Sequence, residues 1–560
     1  VIPDTPAATA LELRWGPTST WHVGAHLQRQ ASERPDAPYL AIGDSPLHTF
    51  GQVATDAERV AARLWSLGLR AGDPVLFFLP TSWAAVHGWL GAKLLGLVDV
   101  PLNHAYRGES LTHAVRLSGA RVIVVALELL PELTRILDRL DDLVVVVADG
   151  AAPADSGALS LDELPTPTDW EAASPAHSAL STVLLTSGTT GPAKGVMMTN
   201  AQTHTIAREC AEGLRMGPED VFYCFHPLFH MAGRFGALYA ALVMGGRVTL
   251  DVGFTPESWI DRIRECGATV TIAHGPMIEM VHATPRRPDD ATTALRAVLA
   301  APLPAAIGVD FEERFGVVAL ETWGMTEVTA CCWRPYDAPL RLGAAGRPLD
   351  DLVEITVVDP DTDEPLPAGR VGEITVVPRH PWLIMQGYLG MPEATVQAWR
   401  NLRFHSGDAG YLDEDGWLHF VDRLGDRIRR KAENISSYEI EVAASSHPGV
   451  LEVAAVGVPI SPSDDEIKLC VSTEAGFNAE ALFRHLVAEL PHHMVPRYVE
   501  RLEALPRTPT NKIRKRELRE RGVTPDTWDY KAAGLSIRAL RTTTDHDLAR
   551  HPAPAKGTPA

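Results

Sequence analysis

Ten consecutive residues, Thr186-Ser-Gly-Thr-Thr-Gly-Pro-Ala-Lys-Gly195, have the composition of a loop that binds a polyphosphate. Ser187, Thr189 and Thr190 offer hydroxyl donors, Gly188 and Gly191 let the backbone turn close to an anion, and Lys194 supplies a cation. The order is not that of the common P-loop, in which a hydroxyl follows the lysine directly to meet magnesium, because Lys194 stands between Ala193 and Gly195. Further polar and charged positions lie downstream: the pair Thr326-Glu327, Asp408 in a Gly-flanked segment, Arg423, a basic run at Arg427, Arg429, Arg430 and Lys431, and Lys512 in a second basic stretch.

The elements that must carry these residues are legible from periodicity. Residues 181–185 form an apolar, β-branched run with strand character, and residues 196–200 lead into a polar, helix-compatible segment. Before them the chain alternates: residues 53–67 have helical spacing, 74–79 read as a buried strand, 84–97 return to helical spacing, and 122–125 and 143–148 read as strands. Strands alternating with helices predict parallel sheets built from βαβ units. Residues 150–175 read as a long surface connection, and 236–246 as a small-residue helix ending in a Gly pair. Further on, Ser436-x-x-Glu439 is a capping box, 451–458 and 467–472 read as strands, and Leu482, Phe483, Leu486, Val487 and Leu490 form a helical core stripe.

A chain of 560 residues is too long for one core at roughly 100–200 residues per domain. Its formal net charge of −20 argues against a general nucleic-acid binder, so any anion must find a local basic patch. The six cysteines show no paired metal spacing, and no apolar run approaches the roughly 18 residues of a membrane span. With no secretory signal in view, a reduced cytoplasm is expected.

Taken together and in order, these stretches closely resemble the adenylate-forming (ANL) superfamily, in its acyl-CoA synthetase or acyl-CoA ligase branch. The resemblance covers roughly residues 21–521. It implies an α/β protein with a large N-terminal domain of βαβ-type sheets (1–422), a small mobile α+β domain (423–530) and a disordered tail (531–560). It assigns nucleotide binding to Thr186, Ser187, Gly188, Thr189, Thr190, Gly191 and Lys194, and to Ala300 and Ala301, which stand where glycines are usual. Trp323, where tyrosine is usual, would line both nucleotide and acyl pockets, with Gly324 beside the acid. Thr326 would donate to the α-phosphate and Glu327 would carry Mg2+. By the same resemblance His230, the second histidine of Phe225-His-Pro-Leu-Phe-His-Met-Ala-Gly233, lines the acyl pocket with Gly233. Asp408 accepts the ribose hydroxyls, Arg423 contacts ribose and phosphate, Lys512 is the catalytic lysine, and Arg429, Arg430, Lys431 and Ala432 face CoA. Amino-acid-activating relatives carry an aspartate where this chain has His226, so an amino-acid substrate is not expected.

The resemblance implies a ligase that joins a small-molecule carboxylic acid to CoA through an acyl-AMP, using ATP; charge and hydropathy add the expectation of no nucleic-acid partner and no membrane span. A homodimer, and a partner enzyme handing over adenylate, stay open. Gly425, Ala432 and Asn511 depart from the family pattern, which keeps two alternatives in play: an enzyme confined to thioester formation, and a silent nucleotide-binding or adenylation-only relative.

Overall fold

The helix predicted over 53–67 spans Phe50–Ser66 in the computed structural model, and its start has a local cause. Thr49 caps it by accepting from the Gln52 backbone while the Gln52 side chain reaches back to the Thr49 N–H, so two orphan donors are satisfied at once. Val53, Ala57, Val60, Ala61 and Leu64 fall on one buried stripe. The next helix, Trp83–Leu94, is capped by Ser82 and buried on nearly every side, as an apolar helix enclosed by other layers must be. The structure describes residues 9–140, 142–186, 193–424, 428–430, 433–435, 437–461, 464–508 and 513–540.

The chain divides into two compact units: residues 1–406 with 411–420, and residues 407–410 with 421–560. Sequence placed the division at 422/423; the second unit also takes Gly407–Gly410 from the middle of the strand Phe404–Leu412. Among the described residues, the first unit holds a nine-stranded and an eight-stranded sheet, parallel in their central pairs as the βαβ alternation predicts. Helices Phe50–Ser66 and Asn200–Gly213 each touch strands of at least one sheet and pack in the same apolar core as Trp83–Leu94. The segment 150–175 is mostly irregular, as expected, with a two-residue strand at Leu159–Ser160. The helix expected over 236–246 differs: a π-helix runs Ala232–Tyr239 and passes into an α-turn, Ala240–Met244, closed by Gly245 at φ 73°.

A buried ionic cluster ties this unit together. Asp99, on the strand Val98–Pro101, pairs with Lys93 of the preceding helix and with Arg234 of the π-helix, and accepts from the Thr182 hydroxyl at 2.7 Å. All four side chains are buried. Burial pushes the Asp99 carboxyl up, but the charges of Lys93 and Arg234 hold it below its ordinary range. A second buried group is aromatic. His204 stacks on Trp21 and on His26, each at 5.2 Å between centroids, with Tyr239 and Trp15 against the edges.

In the second unit the strands Val450–Ser461, Asp464–Thr473, Tyr498–Arg501 and Trp528–Asp529 form one sheet. The stripe at 482–490 is core, as expected, on the helix Ala479–Glu489 capped by Asn478. Ser436 of the expected capping box lies outside the described residues, and the helix there begins at Ser437. The expected tail is corrected in part: Tyr530 and Ile537 are buried in this core, so packing extends past 531, while 541–560 lie outside the described residues. All six cysteines are free thiols, and no helix among the described residues is long and apolar enough to cross a membrane.

Two outcomes are expected. Asp99→Asn leaves two buried cations uncompensated and should lower the unfolding free energy by about 3–5 kcal/mol, read by urea denaturation at neutral pH. Burial lowers His22 to about 4, His26 to about 3 and His204 well below its ordinary value, with the charges of Arg29 and Arg208 adding to the effect on the last two. The folded values lie below the unfolded one, so this stability is intact above pH ~6.5 and is lost as pH falls towards about 4. Three such groups predict a loss of about 4 kcal/mol per pH unit in that window. His204→Phe should reduce the slope of urea stability against pH by about one proton.

Candidate active site

The strand Leu180–Thr186 ends and the strand Lys194–Thr199 begins opposite one another, Thr186 facing Lys194 in antiparallel register. The loop of interest therefore joins two strands of a hairpin, and the helix expected after it starts only at Asn200, capped by Thr199. Ser187, Gly188, Thr189, Thr190 and Gly191 lie outside the described residues. The loop's far end is held by His113, whose Nε2 lies 2.9 Å from the Ala193 carbonyl oxygen.

Lys194 places its ammonium 4.5 Å from the centre of the Tyr388 ring, a cation–π distance. The Tyr388 hydroxyl donates to Glu327 Oε1 at 3.0 Å. One aromatic side chain thus stands between the lysine and the carboxylate that sequence had singled out. Tyr388 is carried by the short strand Gly387–Tyr388, paired to Lys194–Thr199 with Tyr388 opposite Val196. The backbone of the Thr326–Glu327 pair is fixed separately. Gln202 Nε2 donates to the Thr326 carbonyl at 2.9 Å and the Glu327 carbonyl at 3.2 Å, and the Met385 N–H donates to the Glu327 carbonyl at 2.8 Å.

The Thr326 hydroxyl lies 3.8 Å from the sulfur of Met231, next to His230. His230 begins the turn into the π-helix and accepts from the Ala232 N–H at 3.2 Å. Around it stand His226 and His274, the three ring centroids 4.5, 5.8 and 6.4 Å apart. His274 ends a strand in register with Ala301, and Ala300 lies opposite Glu321 on the strand that carries Trp323 and Gly324. Burial lowers His226 to about 4, so the position that bears an aspartate in amino-acid activators holds a neutral ring. Two glycines are obligatory here. A Cβ on Gly233 would stand 2.4 Å from the His226 carbonyl oxygen, and one on Gly324 1.9 Å from that of Thr329. The first unit therefore brings together Lys194, Thr326, Glu327, His230, Gly233, Ala300, Ala301, Trp323 and Gly324. The buried carboxylate of Glu327 is a hard oxygen donor that fits Mg2+, which takes one or two carboxylates and substrate phosphates.

In the second unit Asp408 is buried and paired with Arg423, Nε to Oδ1 at 2.8 Å. Next to Arg423, Asp422 accepts from the Ser437 N–H at 2.8 Å and hydroxyl at 2.6 Å, and Lys515 reaches the same hydroxyl and Glu441. Lys512, Lys431 and Ala432 lie outside the described residues, as do Gly425 and Asn511. Arg430 corrects the expectation for CoA: it is buried, its Nε pairs with Glu466 at 2.7 Å and it donates to the Val495 carbonyl, a structural ion pair rather than an exposed phosphate receiver. One further cluster, Asp363, Glu373 and His405, has metal-ligand spacing, but the guanidinium of Arg400 occupies it, 2.6 Å from Glu373 and 3.3 Å from Asp363.

Sequence reasoning missed Tyr388, Gln202 and His113. Each acts on a residue at least 60 positions away, and no local pattern marks them.

The model of AMP-binding enzymes matches residues 27–389, and that of the AMP-binding enzyme C-terminal domain matches 439–512. The chain is 32% identical over 509 residues to a sulfoacetate–CoA ligase of Cupriavidus necator, covering 89% of this chain and 97% of that protein. It is 30% identical over 484 residues to a crotonobetaine/carnitine–CoA ligase of Salmonella enteritidis, covering 84% and 93%. Its structure is similar to that of ATP-bound MatB from Rhodopseudomonas palustris, with TM-score 0.80 and 26% identity over 89% of this chain and 99% of that one. The loop, the Thr326–Glu327 pair and the fold that joins them agree with these likenesses: the chain belongs to the AMP-binding enzyme family and, within it, to the acid–CoA ligases.

Proposed function

We propose that this chain performs both half-reactions of an AMP-forming acid–CoA ligase on a small carboxylic acid. The observation that carries the reading is the convergence of Lys194, Thr326 and Glu327, linked by Tyr388 and Gln202, beside His230 and Met231. In the first step a carboxylate oxygen of the acid attacks the α-phosphorus of ATP and the bond to the β-phosphate bridging oxygen breaks, releasing pyrophosphate. Negative charge gathers on the phosphate oxygens, and fixed cations and donors stabilise it without reorganising. Lys194 and Lys512 supply cations and Thr326 a hydroxyl donor. Glu327 would hold Mg2+, which would supply further charge neutralisation to the phosphates. Asp408 accepts from the ribose hydroxyls, with Arg423 sharing the carboxylate. In the second step the CoA sulfur attacks the acyl carbon, the thiol proton is lost to solvent and AMP leaves. His230 and its neighbours border the acid, and the neutral His226 gives an α-ammonium no counter-charge, which favours acids without one. Arg429 and Lys431 stay candidates for the CoA phosphates, and the cytoplasm is the compartment that would supply both ATP and CoA.

A screen of carboxylic acids for pyrophosphate release and CoA-thioester formation, run on one preparation, tests the reading. Activity in both supports it, and thioester formed from synthetic acyl-adenylate without any pyrophosphate release from ATP overturns it in favour of a thioesterification enzyme. Lys512→Ala should lower pyrophosphate release by about 10²–10³ while thioester formation from supplied acyl-adenylate persists. Equal loss in both assays would remove the assignment of Lys512 to the first step alone.

A further inference from the structure

Tyr388 has two contacts of different physical kind on opposite sides of one site. Its hydroxyl donates to Glu327 Oε1 at 3.0 Å, and its ring lies 4.5 Å from the Lys194 ammonium. Tyr388 and Glu327 are both buried, so their hydrogen bond is not diluted by water, and Lys194 is half-buried. Its backbone is held as firmly: the Tyr388 N–H donates to the Thr395 hydroxyl at 2.9 Å, and at Gly387, φ 150°, a Cβ would stand 2.8 Å from Thr395. Pairing with the strand Lys194–Thr199 then sets the height of the ring against the lysine.

We propose that Tyr388 is a positioning residue for the metal–nucleotide, holding the Glu327 carboxylate with its hydroxyl and the Lys194 ammonium with its ring. The inference rests on the nucleotide site proposed above. A carboxylate that gives one oxygen to a fixed donor loses its rotational freedom and presents the other oxygen in one direction, as ligands of a metal with strict octahedral geometry must. The ring, meanwhile, confines the ammonium to one place, so that a phosphate meets a lysine whose side chain is already ordered. The two halves of the side chain therefore serve different parts of the ligand: the hydroxyl the metal, the ring the lysine that meets phosphate.

Calorimetric titration separates them. The probes are ATP with excess Mg2+ and ATP with EDTA, and each protein is checked for its unaltered thermal transition. Tyr388→Phe keeps the ring and should weaken binding of the magnesium form roughly tenfold, as loss of a hydrogen bond to a charged group does, with metal-free ATP changed less than twofold. Tyr388→Leu should weaken the metal-free form as well. In a Glu327→Gln background the Phe substitution should add less than twofold to the loss, because its effect passes through that carboxylate. Equal weakening of both forms by Tyr388→Phe, no weakening, or full additivity with Glu327→Gln would each overturn the proposal and leave the nucleotide site standing. Failure of the unaltered protein to bind either form would overturn the site and the proposal together.

Discussion

The carboxylate of Asp99 is the constraint on which the first unit depends. Apolar packing brings layers together but is non-directional, so it cannot by itself decide how a strand lies against a helix. Asp99 does so with charge and hydrogen bonds: Thr182 sits on the strand that ends at Thr186, Lys93 on a buried helix, and Arg234 on the π-helix that follows His230. Arg234 also donates from Nε to the Leu228 carbonyl at 2.6 Å, so the turn carrying His230 is referred to the same anion as the strand leading to Thr186. Taking three charges out of water is expensive, and an apolar substitute could be as stable. What the ions add is a defined geometry between the strand leading to Thr186 and the turn carrying His230.

From that fixed frame the site is completed by residues borrowed from distant parts of the chain. Gln202, in the first turn of the helix Asn200–Gly213, holds the carbonyls of Thr326 and Glu327, and the same helix sends buried Glu209 to the Thr329 hydroxyl and the Ala330 N–H at 3.1 and 3.2 Å. Burial pushes the Glu209 carboxyl well above its ordinary range, which keeps an acceptor in the core at low electrostatic cost. One helix thus orients both ends of the turn between the strands Val318–Met325 and Thr329–Trp333.

This explains which parts were legible in the sequence. Thr326, Glu327, Lys194, Asp408 and Arg423 sit in short stretches whose residue types and order mark them, and the helices at 50–66 and 83–94 announce themselves by period and cap. Contacts that close through space leave no such trace. Tyr388 looks like one more aromatic in a strand, and Asp99, Lys93 and Arg234 look like scattered charges until the sheet brings them together. Arg430 shows the converse: a basic run reads as a surface, but strand alternation turns this arginine inward to Glu466. The packed stretch beyond 531 carries Leu535, Ile537 and Leu540, too few apolar positions to mark a strand or a long helix by period, and only docking on the core reveals them.

The two glycines Gly233 and Gly324, placed beside the acid by the function proposed above, bear on how such a ligase can change its diet. At Gly233 and Gly324 the neighbouring carbonyls come so close that any side chain would push the main chain aside, and the hairpin and π-helix with it. On the function proposed above, the backbone around the acid is therefore a fixed mould. Variation in the acid accepted has to be written in the side chains that hang on it, at positions such as His226, His274, Ala300 and Trp323. A library aimed at new acids would do best to vary those four and leave the two glycines alone.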